Sequence, residues 1–152
     1  MRFSILGSGS KGNSTLVEHD GCHILIDAGF SARELTSRLH LLGLKAHDLN
    51  ALFITHAHSD HSKGAPRIAG SMNIPTFATA KAHMACHKVG GLANWNPLES
   101  NVPMQFGPFE ITPIEVKHDT PGTVAFVIQA ESNRLGIVTD LGTYHAELVK
   151  IC

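Results

Sequence analysis

The seven residues from Thr55 to His61 constrain this chain more than any other stretch. They read T-H-A-H-S-D-H and directly follow an apolar run from Ala51 to Ile54. An apolar run bounded by polar residues is typical of a buried strand. Imidazole and carboxylate ligands together favour zinc, manganese or iron over calcium, which prefers oxygen ligands alone. The stretch therefore predicts a metal site at the C-terminal end of a buried strand.

Side-chain direction supports this interpretation. Successive side chains of an extended segment point to opposite sides, so His56, His58 and Asp60 would project together, and His61 would fall where a helix begins. The alternative is a polar loop that is rich in histidine by chance, because the chain has 11 histidines. The metal site is favoured because the order H-x-H-x-D-H comes directly after a predicted strand.

Composition narrows the class of protein. The 152 residues are 43% hydrophobic, which suits one globular domain. A net charge of −1 gives no electrostatic case for a nucleic-acid binder. It does not exclude a phosphate substrate, because bound metal ions would supply positive charge locally.

The predicted compartment is the cytoplasm. The cysteines, Cys22, Cys86 and Cys152, are far apart and odd in number, which favours a reducing environment without a disulfide framework. The apolar segment near Met1 is too short for a signal peptide. No apolar run approaches the roughly 18 residues of a membrane span, so no membrane contact is expected.

A glycine-rich turn from Gly7 to Gly12 matches G-x-G-x-x-G. That fingerprint indicates a dinucleotide site only where a helix follows the glycines. Here residues 13–18 and 22–26 predict two strands, joined by a hairpin turn at 19–21. The turn is therefore predicted to form a flexible rim of the metal site and not to bind a nucleotide.

The remaining segments predict helices and strands in alternation, which indicates an α/β fold. Ser31 and Glu34 form a capping box that opens a helix ending near Gly43. Residues 90–102 lack periodicity and predict a loop. The other predicted elements are a helix over 64–72 with Ile68, Ala69 and Met72 inward, a strand over 74–79, helices over 80–89 and 143–152, and strands over 109–116, 123–130 and 134–139.

Several motifs together resemble the metallo-β-lactamase-fold hydrolases. H-x-H-x-D-H is the central metal motif of that family. The opening G-S-G-S-K-G-N-S and the segments V-K-H-D and T-D-L-G look most like its YycJ/WalJ-like phosphodiesterase and exonuclease branch. The resemblance implies an α/β fold of the αββα sandwich type. It also implies that residues 1–152 form a single, incomplete domain whose second αβ half is largely missing.

The resemblance further implies a set of site residues. His118 and Asp140 each follow a predicted strand, as the histidine-rich stretch does, and they occupy the family's remaining ligand positions. Asp60 and His61 are expected to be catalytic as well as metal-binding. One ion would be held by His56, His58 and His118, and a second by Asp60 and His61. Asp140 would bridge the two ions, and Asp27 would buttress the metal loop without binding metal.

The function that follows from the resemblance is hydrolysis by a hydroxide that two divalent metal ions activate, with zinc favoured over manganese or iron. Phosphodiesters are the favoured substrates, and DNA exonuclease activity is the favoured form. The alternatives are a thioester or lactone hydrolase of the same fold and a non-catalytic metal-binding fragment. The expected partners are DNA or another phosphodiester, and either a homodimer or a complementing C-terminal half.

The missing half carries a further expectation. A sheet buries its inner face against a second sheet, which the missing half would supply. The chain alone is therefore expected to be poorly stable and to have little activity. The side chains expected to lack cover are Ile24, Ile26, Ile54, Phe126, Ile128 and Val138.

Overall fold

The computed structural model describes residues 1–142, and within them it contains two β-sheets and four α-helices. The helices are α1 (Ala32–Leu41), α2 (Ser59–Ser62), α3 (Ala65–Met72) and α4 (Ala80–Ala85), with 3₁₀ turns at Ala46–Asp48 and Cys86–Val89. The first sheet contains β1 (Arg2–Gly7), β2 (Ser14–His19), β3 (Cys22–Ile26), β4 (Ala51–Phe53), β5 (Thr76–Thr79) and β6 (Trp95–Leu98) in that order. The second contains β7 (Met104–Phe106), β8 (Phe109–Glu115), β9 (Val124–Ala130) and β10 (Asn133–Ile137), in the order β10-β9-β8-β7.

The first sheet joins an antiparallel part to a parallel part. Strands β1 to β3 form an antiparallel meander, and β3 to β6 are parallel neighbours. The β2–β3 turn is tight because Asp20 and Gly21 both have positive φ, 47° and 72°, which matches the twist of a hairpin. The parallel pairs need crossovers, and helices supply them for β3 to β5.

Helices cover one face of the first sheet. Helix α1 begins at Ser31, whose hydroxyl accepts a hydrogen bond from the Glu34 N–H, so the predicted N-cap is confirmed. Leu35 and Leu39 of α1 are fully buried, and they share a core with Leu25 and Leu52 of the sheet. This packing holds β3 and β4 in place and so determines where the residues that follow these strands lie.

The second sheet covers the opposite face. Alternate residues of β3 and β4, among them Ile24 and Phe53, pack against Phe109, Ile111 and Phe126 of the second sheet. Phe53 stacks on Phe77 and meets Phe106 and Phe126 edge-on, with ring centroids 4.8, 5.9 and 5.8 Å apart. The helices and the two sheets confirm the predicted α/β fold.

The expectation that six apolar side chains lack cover is wrong for five of them. Strands β7 to β10 of this chain supply the second sheet themselves. Ile24, Ile26, Ile54, Phe126 and Ile128 are each no more than 1% exposed, whereas Val138 is 38% exposed. The exposed apolar side chains include Phe3 and Ile5 of β1 and Val138 beyond β10. These residues border a 210 Å³ groove between β1 and β10.

Three sequence-based expectations about local structure need correction. Residues 95–98, predicted to lie in a loop, form β6 and pair with β5. Met72, predicted to point inward, is 42% exposed at the end of α3. Helix α4 ends at Ala85, earlier than predicted, and a 3₁₀ turn follows. The helix predicted over 143–152 lies outside the described residues. Among residues 1–142 no helix combines the length and apolarity needed to cross a membrane.

Candidate metal centre

The predicted ligands meet where strands of both sheets end. Asp27 follows β3 and the histidine-rich stretch follows β4, whereas His118 and Asp140 follow β8 and β10 of the second sheet. A backbone hydrogen bond joins the two sheets here: the Val124 N–H donates to the Thr55 carbonyl at 3.0 Å. The six residues predicted as ligands thus come from segments that the sandwich brings together.

The histidine-rich stretch does not remain extended as far as Asp60, contrary to the expectation from the sequence. The chain turns into α2 at Ser59, directly after His58, so Asp60 lies in the helix with His61. The Ser62 hydroxyl holds this bend by donating to the His58 carbonyl at 2.9 Å. Gly29 packs against the same turn. A Cβ atom there would lie 1.7 Å from the Asp60 carbonyl oxygen, so any side chain would displace Asp60.

Three imidazole nitrogens form the first donor group. His56 Nε2 lies 3.1 Å from His58 Nδ1, and His118 Nε2 lies 3.3 Å from the same atom. Two nitrogens bound tetrahedrally to zinc at their usual bond lengths would be roughly 3.3 Å apart. The spacing and chemistry of these donors therefore fit a divalent transition-metal ion.

A second donor group shares His56 with the first. His61 Nε2 lies 2.8 Å from Asp140 Oδ2, and His56 Nε2 lies 3.5 Å from that oxygen. Asp60 Oδ2 is 3.7 Å from His61 Nε2. A carboxylate has lone pairs for more than one partner, so Asp140 can serve both groups. His56 and His61 are fully buried, whereas the side chains of His58 and Asp140 are 41% and 43% exposed. The centre is thus closed towards the core and open to solvent on one side.

Each histidine of the stretch uses its other ring nitrogen for a protein contact. His61 Nδ1 lies 2.7 Å from Asp27 Oδ2. Thr55 Oγ1 contacts His56 Nδ1 at 2.9 Å, and Thr120 Oγ1 contacts His58 Nε2 at 2.7 Å. Such contacts fix the orientation of a metal-binding imidazole and decide which nitrogen keeps its lone pair.

Asp27 is the hub of these contacts. Its carboxylate accepts hydrogen bonds from the N–H and the hydroxyl of Thr55, both at 2.8 Å, in addition to His61. Because the single hydroxyl hydrogen of Thr55 goes to Asp27, the hydroxyl oxygen accepts from His56 Nδ1–H. The Nε2 lone pair of His56 therefore faces the other donors. Asp27 adopts φ 62° directly after β3, a conformation that aspartate tolerates better than most residues.

Electrostatics also prepare the imidazoles. Burial, with smaller contributions from His61, His58 and His118, lowers the pKa of His56 to about 3. His56 is therefore neutral at ordinary pH, as a metal ligand must be. Burial acts to lower the pKa of His61, but the hydrogen bond and charge of Asp27, with Asp140 and Asp60, outweigh it and raise that pKa. The acidic side chains thus attract positive charge to this nitrogen-rich site.

Replacing Asp27 with asparagine is expected to weaken metal affinity about 10–100-fold, because the carboxylate that orients His61 and Thr55 is lost. Asparagine also tolerates positive φ, so the backbone can stay in place. Competition with a chromophoric chelator measures the change. The control is Asp48→Asn, at a half-buried aspartate away from the centre that accepts a hydrogen bond from the Lys45 N–H. Equal affinities for both variants would contradict a supporting role for Asp27.

Sequence reasoning missed three residues of the centre: Asn13, Thr55 and Thr120. Thr120 lies in the segment after β8, and no motif marks its hydroxyl as a partner of His58. The position of Thr55 directly before the first histidine was a usable signal, because that residue must lie next to the strand end. Asn13 is part of the opening segment G-S-G-S-K-G-N-S, but nothing in that segment marked its side chain as a partner of the metal motif.

Comparison with known proteins is consistent with this geometry. The profile of the Metallo-beta-lactamase superfamily matches residues 7–152. Exodeoxyribonuclease YycJ of Bacillus anthracis is 30% identical over 145 residues, which are 93% of this chain and 55% of the relative. Exodeoxyribonuclease WalJ of Streptococcus pneumoniae serotype 2 is 30% identical over 146 residues, which are 93% of this chain and 54% of that relative. The chain thus spans about half the length of these curated relatives.

Solved structures agree on the fold. The metallo-beta-lactamase SMB-1, in a complex with mercaptoacetic acid, superposes with a TM-score of 0.75 at 18% identity, covering 97% of this chain and 68% of that one. The subclass B3 metallo-beta-lactamase MEM-A1 from a soil metagenome library superposes with a TM-score of 0.67 at 20% identity. The match covers 83% of this chain and 55% of that one. The match of the superfamily profile along nearly the whole chain, together with the shared sandwich, leads to one conclusion: this chain belongs to the metallo-beta-lactamase superfamily.

Proposed function

We propose that this chain is the metal-binding part of a metal-dependent hydrolase that cleaves phosphodiesters, most specifically a DNA exonuclease. The observation that carries the proposal is the pair of donor groups that share His56 at the ends of both sheets. We also propose that residues 1–152 form one incomplete domain, which a further αβ half completes. Chemistry of this kind needs no serine or cysteine nucleophile.

We assign six ligands to two ions. One divalent ion would be held by His56, His58 and His118, and a second by Asp60 and His61, with Asp140 serving both. Zinc is the favoured metal because imidazole nitrogens dominate the first group, and manganese and iron are compatible with the same donors. Asp27, which contacts His61 and Thr55, is assigned as the residue that holds the ligands in place.

Bound divalent ions would supply an activated water and stabilise negative charge on the substrate oxygens. The protein's own side chains prepare that chemistry. The contacts with Thr55 and Asp27 keep the Nε2 atoms of His56 and His61 directed towards Asp140 Oδ2. The exposed sides of His58 and Asp140 leave an approach for a substrate. Asp60 and His61, next to that approach, are the residues we assign to the reacting centre.

The relatives favour nucleic acid as the substrate class. The proteins that match 93% of this chain are named exodeoxyribonucleases, and a shorter match, 29% identical over 97 residues, is Ribonuclease Z of Clostridium beijerinckii. The net charge of −1 makes general attraction to DNA weak, so metal ions at the site would contribute most of the positive charge that a phosphate meets.

Assays of the full-length protein with four substrates test the proposal. After removal and return of zinc or manganese, we expect turnover of bis-p-nitrophenyl phosphate and release of nucleotides from the ends of DNA, but none of a cephalosporin or a thioester. His118→Ala should abolish activity, whereas His47→Ala, at a side chain that is 65% exposed, should not. Turnover of the thioester or the cephalosporin alone would contradict the phosphodiesterase proposal and favour a hydrolase of another class. Bound metal without any turnover would favour a non-catalytic metal-binding protein.

A further inference from the structure

The side chain of Asn13, which follows the glycine turn, reaches into the candidate metal centre. Its Nδ2 lies 2.9 Å from His61 Nε2 and 3.3 Å from Asp60 Oδ2. These are the atoms assigned above to the second ion. Asn13 is therefore in direct contact with two proposed ligands, although it lies outside the H-x-H-x-D-H motif.

The backbone of Asn13 is held against the same turn. Its N–H donates to the Asp60 carbonyl at 2.7 Å, and its carbonyl accepts from the Gly29 N–H at 2.9 Å. Gly12 makes this close approach feasible, because a Cβ atom there would lie 2.7 Å from the Gly29 carbonyl oxygen. The hydrogen bonds to Asp60 and Gly29 therefore fix the backbone of Asn13, and with it the direction of the Asn13 side chain.

The other end of the carboxamide is tied to the glycine turn. Asn13 Oδ1 accepts from the Gly9 N–H at 2.8 Å, and Nδ2 is 3.1 Å from the Gly9 carbonyl. Lys63 Nζ donates to the Lys11 carbonyl at 3.2 Å. The turn predicted as a flexible rim is therefore anchored at Gly9 and at Lys11.

The hydrogen-bond capacity of Asn13 suits it to a centre that gains an ion. Its amide nitrogen carries two hydrogens, and four acceptors lie within 3.4 Å: two side-chain atoms, of Asp60 and His61, and two carbonyls, of Gly9 and Asp60. When an ion takes the side-chain lone pairs, both hydrogens can turn to the carbonyls. Asn13 can therefore hold the ligand atoms before binding and release them afterwards without a lost hydrogen bond.

We infer that Asn13 is a positioning residue, which orients Asp60 and His61 for the second ion and fastens the glycine turn beside them. The inference rests on the ligand assignment of the proposed function. It assigns Asn13 no contact with the reacting atoms.

Titration of the full-length Asn13→Ala variant with zinc, in competition with a chelator, tests this role. We expect the second equivalent to bind about 10-fold more weakly, because the side chain that holds the Asp60 turn and the glycine turn in their binding positions is lost, and the first equivalent to bind as before. The matched control is Asn50→Ala. Asn50 likewise anchors a backbone N–H, that of His23 at 2.7 Å, but at the far end of β3. Neither equivalent should change in that variant.

The unsubstituted protein provides a second measurement, which does not depend on whether the variant folds. The side-chain amide signals of Asn13 in nitrogen-15 NMR should move when the second zinc equivalent binds, because their acceptors change. Unchanged signals, or an Asn13→Ala variant that binds both equivalents like the parent, would overturn the inference. Both experiments measure metal binding. They therefore still test the role of Asn13 if the phosphodiester assays show no activity.

Discussion

Replacing His58 with alanine is expected to remove one equivalent of bound metal. His58 Nδ1 lies next to both other nitrogens of the first donor group, so its loss leaves His56 and His118 without a third partner. The affinity loss should exceed the roughly 10–100-fold that follows from removing an outer partner. The second donor group does not include His58, so one equivalent should remain. Elemental analysis of dialysed protein measures the stoichiometry.

The control for this change is His40→Ala. His40 is an exposed histidine in the last turn of α1 and lies in neither donor group of the centre. It should leave the metal content unaltered. If His58→Ala bound as much metal as the His40→Ala control, with equal affinity, the assignment of the first donor group would be wrong.

Replacing Phe53 with alanine is expected to lower the free energy of unfolding by about 3–5 kcal/mol. Phe53 is fully buried between the two sheets and contacts three other phenylalanine rings. Its removal would leave a cavity that a sheet-on-sheet interface cannot easily close. Urea unfolding, monitored by circular dichroism, measures the midpoint and the slope.

Phe3→Ala is the matched control, because that ring is 55% exposed on β1. A change at a surface position of this kind is usually within about 0.5 kcal/mol. Similar midpoints for the two variants would mean that the interface between the sheets contributes much less to stability than its burial indicates.

Local signals predicted most elements of the fold. The Ser31 cap, the hairpin at Asp20 and Gly21 and the alternation in β8 depend on neighbouring residues, and such patterns survive in the folded chain. Strand β6 escaped prediction because Asn96 and Pro97 are poor strand formers. It forms because β5 offers it a parallel edge, which is a tertiary effect.

The sequence predicted the ligand residues better than the contacts around them. A spaced set such as His56, His58 and His61 is visible in the chain because ligand chemistry requires particular residue types. The contacts of Thr120 with His58 and of Asn13 with His61 join segments far apart in sequence. Threonine and asparagine are common residues, so only the folded chain distinguishes these two from the others.

The division of the donors between two sheets has a consequence for the order of events in folding. His56 and His61 follow a strand of the first sheet, whereas His118 and Asp140 follow strands of the second. Neither donor group is complete until the sheets have docked, and docking joins residues of high sequence separation, which is a slow step. A metal ion therefore has no complete site to nucleate on in the unfolded chain. It acts afterwards, by prolonging the lifetime of the docked state against unfolding.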